Sequence, residues 1–395
     1  METDWMKPNA STLLPFVTRS APWFDGKNKI YKYGGVYADP EVWPSLGFTI
    51  GKNKFWSLDT TTGQWQEEYP KGLGFYAGGV VYNRTDATFN EWGLNTTITP
   101  YFFLKTMLIY DMHTNEVRNT TIGLMQPFYG GSLQYVPVGN KGMLLLMGGI
   151  EEDSGVLLPR SFDHIYVYDI DTEKWFHQTA GGTIPDNRAN FCTAVASAPD
   201  GSSHSIYMHG GAFQLTYADT YVLSVPAFQW VRIDDGANQQ PRTRHSCHMT
   251  KQKQMWVVGG KPQAQEDPHA PNWTNGECFK NPLWNIFDVN TGEWQGNLVP
   301  ITDEAVDYKV PKAVTDVIGG NEAGGATMRQ PKDGWEESIL DELWKEAPLP
   351  NATTTSAAPS ASATAAKKGA AMKPIAEVST LLASLVLTAV GMMFL

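Results

Sequence analysis

Cysteine is scarce: Cys192, Cys247 and Cys278 are the only three in 395 residues, so one stays unpaired if a disulfide forms. Two readings stand, a Cys192–Cys247 bridge or three buried free thiols. Runs of basic residues are also lacking. With 41 acidic against 30 basic side chains the formal charge is −11, which argues against a nucleic-acid partner. The first residues, METDWMKPNASTLLPF, have neither a positive head nor an unbroken apolar stretch, so no leader is written there. Equally absent are a glycine–serine elbow, a phosphate loop, a dinucleotide fingerprint, a nucleophile triad and a helical His-x-x-x-His pair. No catalytic residue, cofactor or metal is therefore assigned, and binding is favoured over catalysis.

Glycine pairs, in contrast, recur. They stand at Gly34/Gly35, Gly78/Gly79, Gly148/Gly149, Gly210/Gly211, Gly259/Gly260 and Gly319/Gly320, each after a short apolar run such as MLLLM or MWVV. Downstream come DTTTGQW from Asp59, DMHTNEV from Asp111, DIDTEKW from Asp169, SVPAFQW from Ser224 and DVNTGEW from Asp288. The six-residue offset persists even where an end of the motif has changed. Such a period describes one supersecondary unit that cannot bury both faces alone, so units must stack around an axis. The pattern predicts an all-β propeller over residues 11–334 with six visible repeats and six or seven blades. Hydrophobic content of 42% suits such a core.

Within a unit, glycine allows close approach near the axis, the Asp accepts hydrogen bonds in its turn, and the Trp covers the gap to the next blade. Strands are expected at 29–33, 54–58, 74–77, 106–111, 143–147, 164–169, 205–209, 220–224, 254–258 and 285–289. Cys192 and Cys247 precede glycine pairs in successive repeats and should lie on inner strands. The sixth pair lacks its Asp-to-Trp turn, and little sequence precedes the first. Both observations suggest a missing leader and part of a first blade.

Residues 335–347 form an amphipathic segment with Ile339, Leu340, Leu343 and Trp344 at helical spacing, a candidate cap. Residues 348–373 are rich in Ser, Thr, Ala and Pro and read as a disordered stalk. Val378–Leu395 carries no charge. Residues 374–395 are read as a GPI signal, with small residues Gly369 to Ala371 upstream, or as a transmembrane helix. Six glycosylation sequons, at Asn9, Asn83, Asn95, Asn119, Asn272 and Asn351, hint at secretion. These features place the chain at a membrane, plasma membrane or wall, attached through its tail.

The long inserts after the glycine pairs should crowd one rim, where a rigid scaffold displays variable loops. Tyr37, Trp43, Trp92, Tyr101, Trp273 and His269 are the candidate rim residues, suited to stacking on sugars or packing on a protein. Arg188, Arg242, Arg244 and His245 enter inner strands and are candidates for the channel mouth, holding an anion or pairing with acids and carbonyls. His245 and His248 are three apart and should point to opposite faces of a strand, a poor metal pair.

The glycine pairs, the strands ending at Asp111, Asp169 and Asp288, and Trp65, Trp175, Trp230 and Trp294 resemble the kelch repeat. The stretches RANFCTAVASAPDGSSHSIYMHGG and PRTRHSCHMTKQKQMWVVGG are similar to wall-anchored fungal kelch proteins of the cell surface. The resemblance implies a surface-tethered module binding protein or cell-wall glycan. Its alternatives are a galactose-oxidase-like copper oxidoreductase, whose site pattern has no match here, and an accessory protein of fungal secondary metabolism. Oligomeric state is left open.

Overall fold

The apolar run before each of the first five glycine pairs takes a strand on either side. In the computed structural model the described residues are 17–18, 21–24, 29–33, 36–37, 55–59, 62, 64–67, 72–82, 101–111, 114, 116–261, 284–295, 305–345 and 393–394. The first region holds β1 (Val17–Thr18), β2 (Ala21–Phe24), β3 (Lys29–Tyr33), β4 (Val36–Tyr37), β5 (Phe55–Asp59) and β6 (Gln64–Glu67). Next come β7 (Leu73–Ala77), β8 (Val80–Tyr82), β9 (Tyr101–Phe103), β10 (Thr106–Asp111) and β11 (Glu116–Thr121). The third repeat contributes β12 (Phe128–Tyr129), β13 (Ser132–Val136), β14 (Met143–Met147), β15 (Ile150–Asp153), β16 (Val156–Pro159), β17 (His164–Asp169) and β18 (Lys174–Thr179). The fourth has β19 (Gly181–Gly182), β20 (Cys192–Ser197), β21 (His204–His209), β22 (Thr220–Val225) and β23 (Gln229–Asp234). The fifth has β24 (Thr243–Met249), β25 (Gln254–Lys261), β26 (Trp284–Asp288) and β27 (Glu293–Gln295). Helices α1 (Lys312–Ile318) and α2 (Ser338–Lys345) follow, then β28 (Met393–Phe394).

Among the described residues five sheets have the order of a blade, β2-β3-β5-β6, β28-β7-β10-β11, β13-β14-β17-β18, β20-β21-β22-β23 and β24-β25-β26-β27, all antiparallel, with β19 added parallel to β23. All ten strands expected from the sequence are present, with ends moved by at most three residues. The glycine-pair strand is second in its blade, and the strand before it in the chain forms the inner edge, except in the second blade, where β28 takes that place. Edge strands β13, β20 and β24 lie against one another in succession.

Alternation explains the uninterrupted apolar strands. All five residues of β14 are buried. Leu144 and Leu146 enter a cluster with Phe75, Met107 and Ile109 of the second blade. Met143, Leu145 and Met147 enter another with Ile206, Met208 and Leu223 of the fourth. Tyr207 and Val222 point the other way, to Met255, Val257 and Phe287 of the fifth. Successive side chains thus serve two neighbouring blades, so both faces are buried and the few polar residues on them, such as His209 and Thr220, bond to one another.

Each Asp turn closes as its chemistry requires: the Thr62, Thr114, Thr172 and Thr291 amides donate to Asp59, Asp111, Asp169 and Asp288 at 3.1 to 3.2 Å. Trp230 and Trp294 cover the gap to the preceding blade, not the next. Trp230 Nε1 donates to the Phe162 carbonyl at 2.7 Å, and Trp294 Nε1 to Asp234 at 3.1 Å. In the repeat without a Trp, Arg118 on β11 reaches forward to Glu173 of the third blade through two bonds of 2.8 Å.

The sixth glycine pair is a correction. Gly319 caps the C-terminus of α1, its amide donating to the Thr315 carbonyl at 2.8 Å, so TDVIGG is the end of a helix and not a sixth blade strand. The segment 305–345 is a strap. Its Asp307 and Lys309 backbones bond Asn290 of one Asp turn, and Gly325 bonds Asp200 of the β20–β21 turn. Tyr308 meets Tyr207 hydroxyl to hydroxyl at 2.8 Å. Helix α2 starts three residues later than expected. It buries Leu340, Leu343 and Trp344 and leaves Ile339 at the surface. Trp335 and Trp344 stack and flank Phe228. Of the tail, only Met393–Phe394 is described, paired antiparallel with β7 as a strand and not as part of a helix.

A Cβ on Gly149 would lie 2.7 Å from the Gly131 nitrogen and Tyr129 oxygen, both backbone atoms, at a φ of +93°. Gly155, at +82°, has nothing within 4 Å. Gly149→Ala is expected to cost at least about 3 kcal/mol and Gly155→Ala about 1–2. Urea midpoints of the two variants check this; equal losses would refute the close-approach account.

Candidate binding face

Because the glycine pair ends the second strand, the connection to the third leaves every blade on the same side. Two of these connections build their own sheets. Strands β8 and β9 form a hairpin, and β15 and β16 form another that β12 joins. A third connection is the tight loop after Gly211, held by bridges from Ala212 to Ala189 and Thr216. Large apolar side chains stand exposed on all three: Tyr101; Val156, Leu157 and Leu158; and Phe213 and Leu215, the last 61% exposed. Trp284, at the entry to β26, joins them. Under the hairpins Tyr101 leans edge-on to Phe103, which stacks on Tyr129 at 4.9 Å.

Of the predicted rim residues, the structure therefore places Tyr101 on this face. Tyr37 ends β4, and its side chain lies outside the described residues, as do Trp43, Trp92, Trp273 and His269. Among the sequons Asn119 is exposed on the outer strand β11, and Asn9, Asn83, Asn95, Asn272 and Asn351 lie outside the described residues. The aliphatic cluster Val156–Leu158 and Leu215 carries no aromatic residue to mark it in the sequence. Three adjacent apolar residues in a hairpin without an alternating pattern were the available signal.

Arg188 and Arg242 are buried at the joints between blades. Arg188 Nη2 donates to the Asp219 carboxylate at 3.2 Å while Nη1 pairs with its other oxygen, Nε donates to the Asp186 carbonyl at 2.9 Å, and the guanidinium lies 3.4 Å over the Tyr217 ring. Arg242 Nη1 donates to the Gly259 carbonyl at 2.5 Å. Arg244 is exposed and adopts a φ of +60°, its amide donating to the Asn190 carbonyl. His245 is buried and His248 exposed, on opposite faces of β24. His245 Nε2 donates to the His209 carbonyl at 3.0 Å.

Burial pushes His245 down to about 3 and, with Arg329 nearby, His204 down to about 4; burial and the neighbouring His245 hold His209 well below the ordinary range. These interior rings are neutral hydrogen-bonding groups at physiological pH. Burial likewise pushes Tyr207 up, and Tyr308 up to about 12. Among the described residues, Cys192, His245 and Cys247 are the one grouping of side chains able to hold a metal. Pairing His245 with His248 had hidden it; the same-face partner of His245 is two residues on.

Residues 132–366 match the model of the KLHDC2/KLHL20/DRC7 Kelch-repeats domain, more than half of the chain. The chain belongs to the Kelch-repeat family. A Kelch repeat-containing protein of Arthroderma benhamiae is 30% identical over 66% of this chain and 43% of its own length. Human Kelch domain-containing protein 3 is 27% identical over 38% of this chain and 36% of its own. The chain thus spans less than half the length of either relative. A solved structure titled "Structure of YjhT" aligns at a TM-score of 0.44 and 16% identity, covering 63% of this chain and 78% of that one. No helix among the described residues is long and apolar enough to cross a membrane.

The neutral histidines make stability pH-dependent. Above the unfolded value of 6.5 both states hold the rings neutral; below it the unfolded chain takes up protons that the folded chain refuses until about 4 at His204 and about 3 at His245. Stability is therefore present above 6.5 and lost as pH falls, by about 1.4 kcal/mol per pH unit and histidine. Between pH 7 and 5, His204→Gln is expected to lose about 2 kcal/mol less than the parent by urea unfolding. Identical losses would show that His204 is not the group responsible.

Proposed function

We propose that this Kelch propeller is a protein-binding scaffold whose working surface is the glycine-loop face. The observation that carries the reading is the cluster of exposed apolar side chains that several inserts bring to one face; the strap on the other face exposes the scattered Val306, Val317 and Ile339. Tyr101, Val156, Leu157, Leu158, Phe213 and Leu215 stand on connections between second and third strands, and Trp284 opens the third strand β26. The opposite turns of the third to fifth blades are engaged by the strap 305–345, which buries Tyr308, Val310, Val314, Ile318, Leu340, Leu343 and Trp344. A cluster of large apolar groups on a rigid rim is what a protein interface uses. The sequons and the rim aromatics Trp43, Trp92 and Trp273 supply the second reading, recognition of a wall glycan.

Tethering belongs to the same proposal. The uncharged run Val378–Leu395 and the preceding stalk support attachment of the propeller to a membrane or wall through the tail. The pairing of Met393–Phe394 with β7 supports instead a tail retained as an edge strand. Mass spectrometry of the mature C-terminus separates the alternatives: a chain ending upstream of Pro374 is the expected GPI result, and an intact Leu395 overturns it.

The binding proposal is tested by cross-linking the purified chain to surface extracts, identifying the retained protein, and measuring its affinity by interferometry. Leu157→Asp/Leu158→Asp and Phe213→Ser/Leu215→Asp are each expected to weaken binding at least about tenfold. Lys312→Glu, on the strap, should leave it unchanged. Undiminished affinity in both rim variants would sink the assignment. Saturable binding to wall polysaccharides, with no protein retained, would transfer it to the glycan reading.

A further inference from the structure

Cys192 opens β20 and Cys247 lies in β24, the inner-edge strands of neighbouring blades, and a disulfide joins them across a Cα separation of 5.3 Å. His245, two residues before Cys247, shares its face of β24 by strand alternation. The two sulfurs and a ring nitrogen of His245 all lie within 4.8 Å of one another. A disulfide accounts for the sulfurs, but it requires no histidine beside it. The His245 ring is 2% exposed, and its Nδ1 has no hydrogen-bond partner. Its other nitrogen donates to the His209 carbonyl at 3.0 Å, which keeps the proton on Nε2 and leaves the Nδ1 lone pair open. A backbone carbonyl orienting one ring nitrogen while the other stays open is the arrangement that supports a metal-bound histidine.

We infer that Cys192, His245 and Cys247 form a redox-gated site for a thiophilic d¹⁰ divalent cation such as Zn²⁺. In the oxidised chain the bridge occupies both sulfurs. A dithiol reductant opens it: the S–S bond accepts two electrons and two protons, and the reductant leaves as its own disulfide. The cation then replaces the two thiol protons, which pass to solvent, and gains two thiolates and one imidazole. Metal–sulfur and metal–nitrogen bonds of about 2.3 and 2.1 Å place such ligands roughly 3.5–4 Å apart, within the present spread of the three side chains. Cys247 is only half-buried, which gives reductant and cation an approach. Two blades joined covalently in one redox state are thereby joined by a metal in the other.

The test uses the full chain carrying Cys278→Ser, so that only the paired thiols report. It is reduced with a phosphine, desalted without oxygen, and titrated with Cd²⁺ while thiolate-to-metal charge-transfer absorption and circular dichroism are followed. One equivalent is expected to bind to the reduced chain, and the oxidised chain should show no band. His245→Gln retains an amide donor for the His209 carbonyl but lacks the imidazole lone pair, so at least tenfold weaker binding is expected; His248→Gln, on the other face, should match the parent. Absence of a band in the reduced parent overturns the inference, as does undiminished affinity in His245→Gln. A reduced chain that is unfolded and stays unfolded with Cd²⁺ overturns it as well.

Discussion

The structure depends on one hydrogen bond made repeatedly between neighbouring blades. The amide of the second glycine in a pair donates to the carbonyl of the residue that opens the next repeat: Gly79 to Phe128 at 2.7 Å, Gly149 to Arg188 at 3.0 Å and Gly211 to Arg242 at 2.8 Å. The contact brings two main chains within hydrogen-bonding distance, so a Cβ at the pair has no room; on Gly211 it would lie 2.8 Å from Phe191 and 3.0 Å from the Ala189 carbonyl. Left-handed φ values at the pairs aim the amide outward from its own sheet. The glycine requirement is thus an inter-blade requirement. A single blade would not impose it.

The opening arginine completes that joint. As its carbonyl accepts from the preceding blade, its guanidinium turns into its own: Arg188 reaches the Gly210 carbonyl and Arg242 the Gly259 carbonyl, the first glycine of the pair in each case. One residue therefore ties the end of one second strand to the end of the next. Burying such a cation is costly unless its donors are satisfied, and Arg188 meets the condition with Asp219, the Asp186 carbonyl and the face of Tyr217. The position reads as a channel-mouth arginine in the sequence. Its partners come from elements that only the fold brings together.

What was legible follows from range. Strand positions, Asp turns and the family were readable because each rests on a pattern within a few residues: apolar alternatives, an Asp three before a Thr, paired glycines. The sixth pair misled because a glycine is equally suited to ending a strand beside another blade and to capping a helix. The residues before it, KAVTDVI, are rich in β-branched side chains and read as a strand. Yet Pro311 precedes them, and Lys312 and Asp316 form an i,i+4 pair, two signals of a helical turn. Val314 and Ile318, also four apart, are the pair this helix buries. The direction of the tryptophans, and the place of His245 beside the Cys192–Cys247 bridge that the sequence left as one of two readings, were beyond reach because they depend on which blade faces which.

That strap makes the two faces of the propeller unequal. Both helices carry their apolar residues onto cluster ends lined by the turns that join first to second and third to fourth strands: Val138 and Phe228 under α2, Ala198 and Val289 under α1. An inter-blade core is open at both ends, and at this end the strap closes it. At the other end the glycine pairs perform the closure through main-chain bonds, and the inserts beyond them are released from packing duty. Leu157 and Leu215 are exposed on inserts that the core does not need for its own burial. Their large apolar side chains are thereby free of the core's own packing, and it is on them that the proposed working face rests.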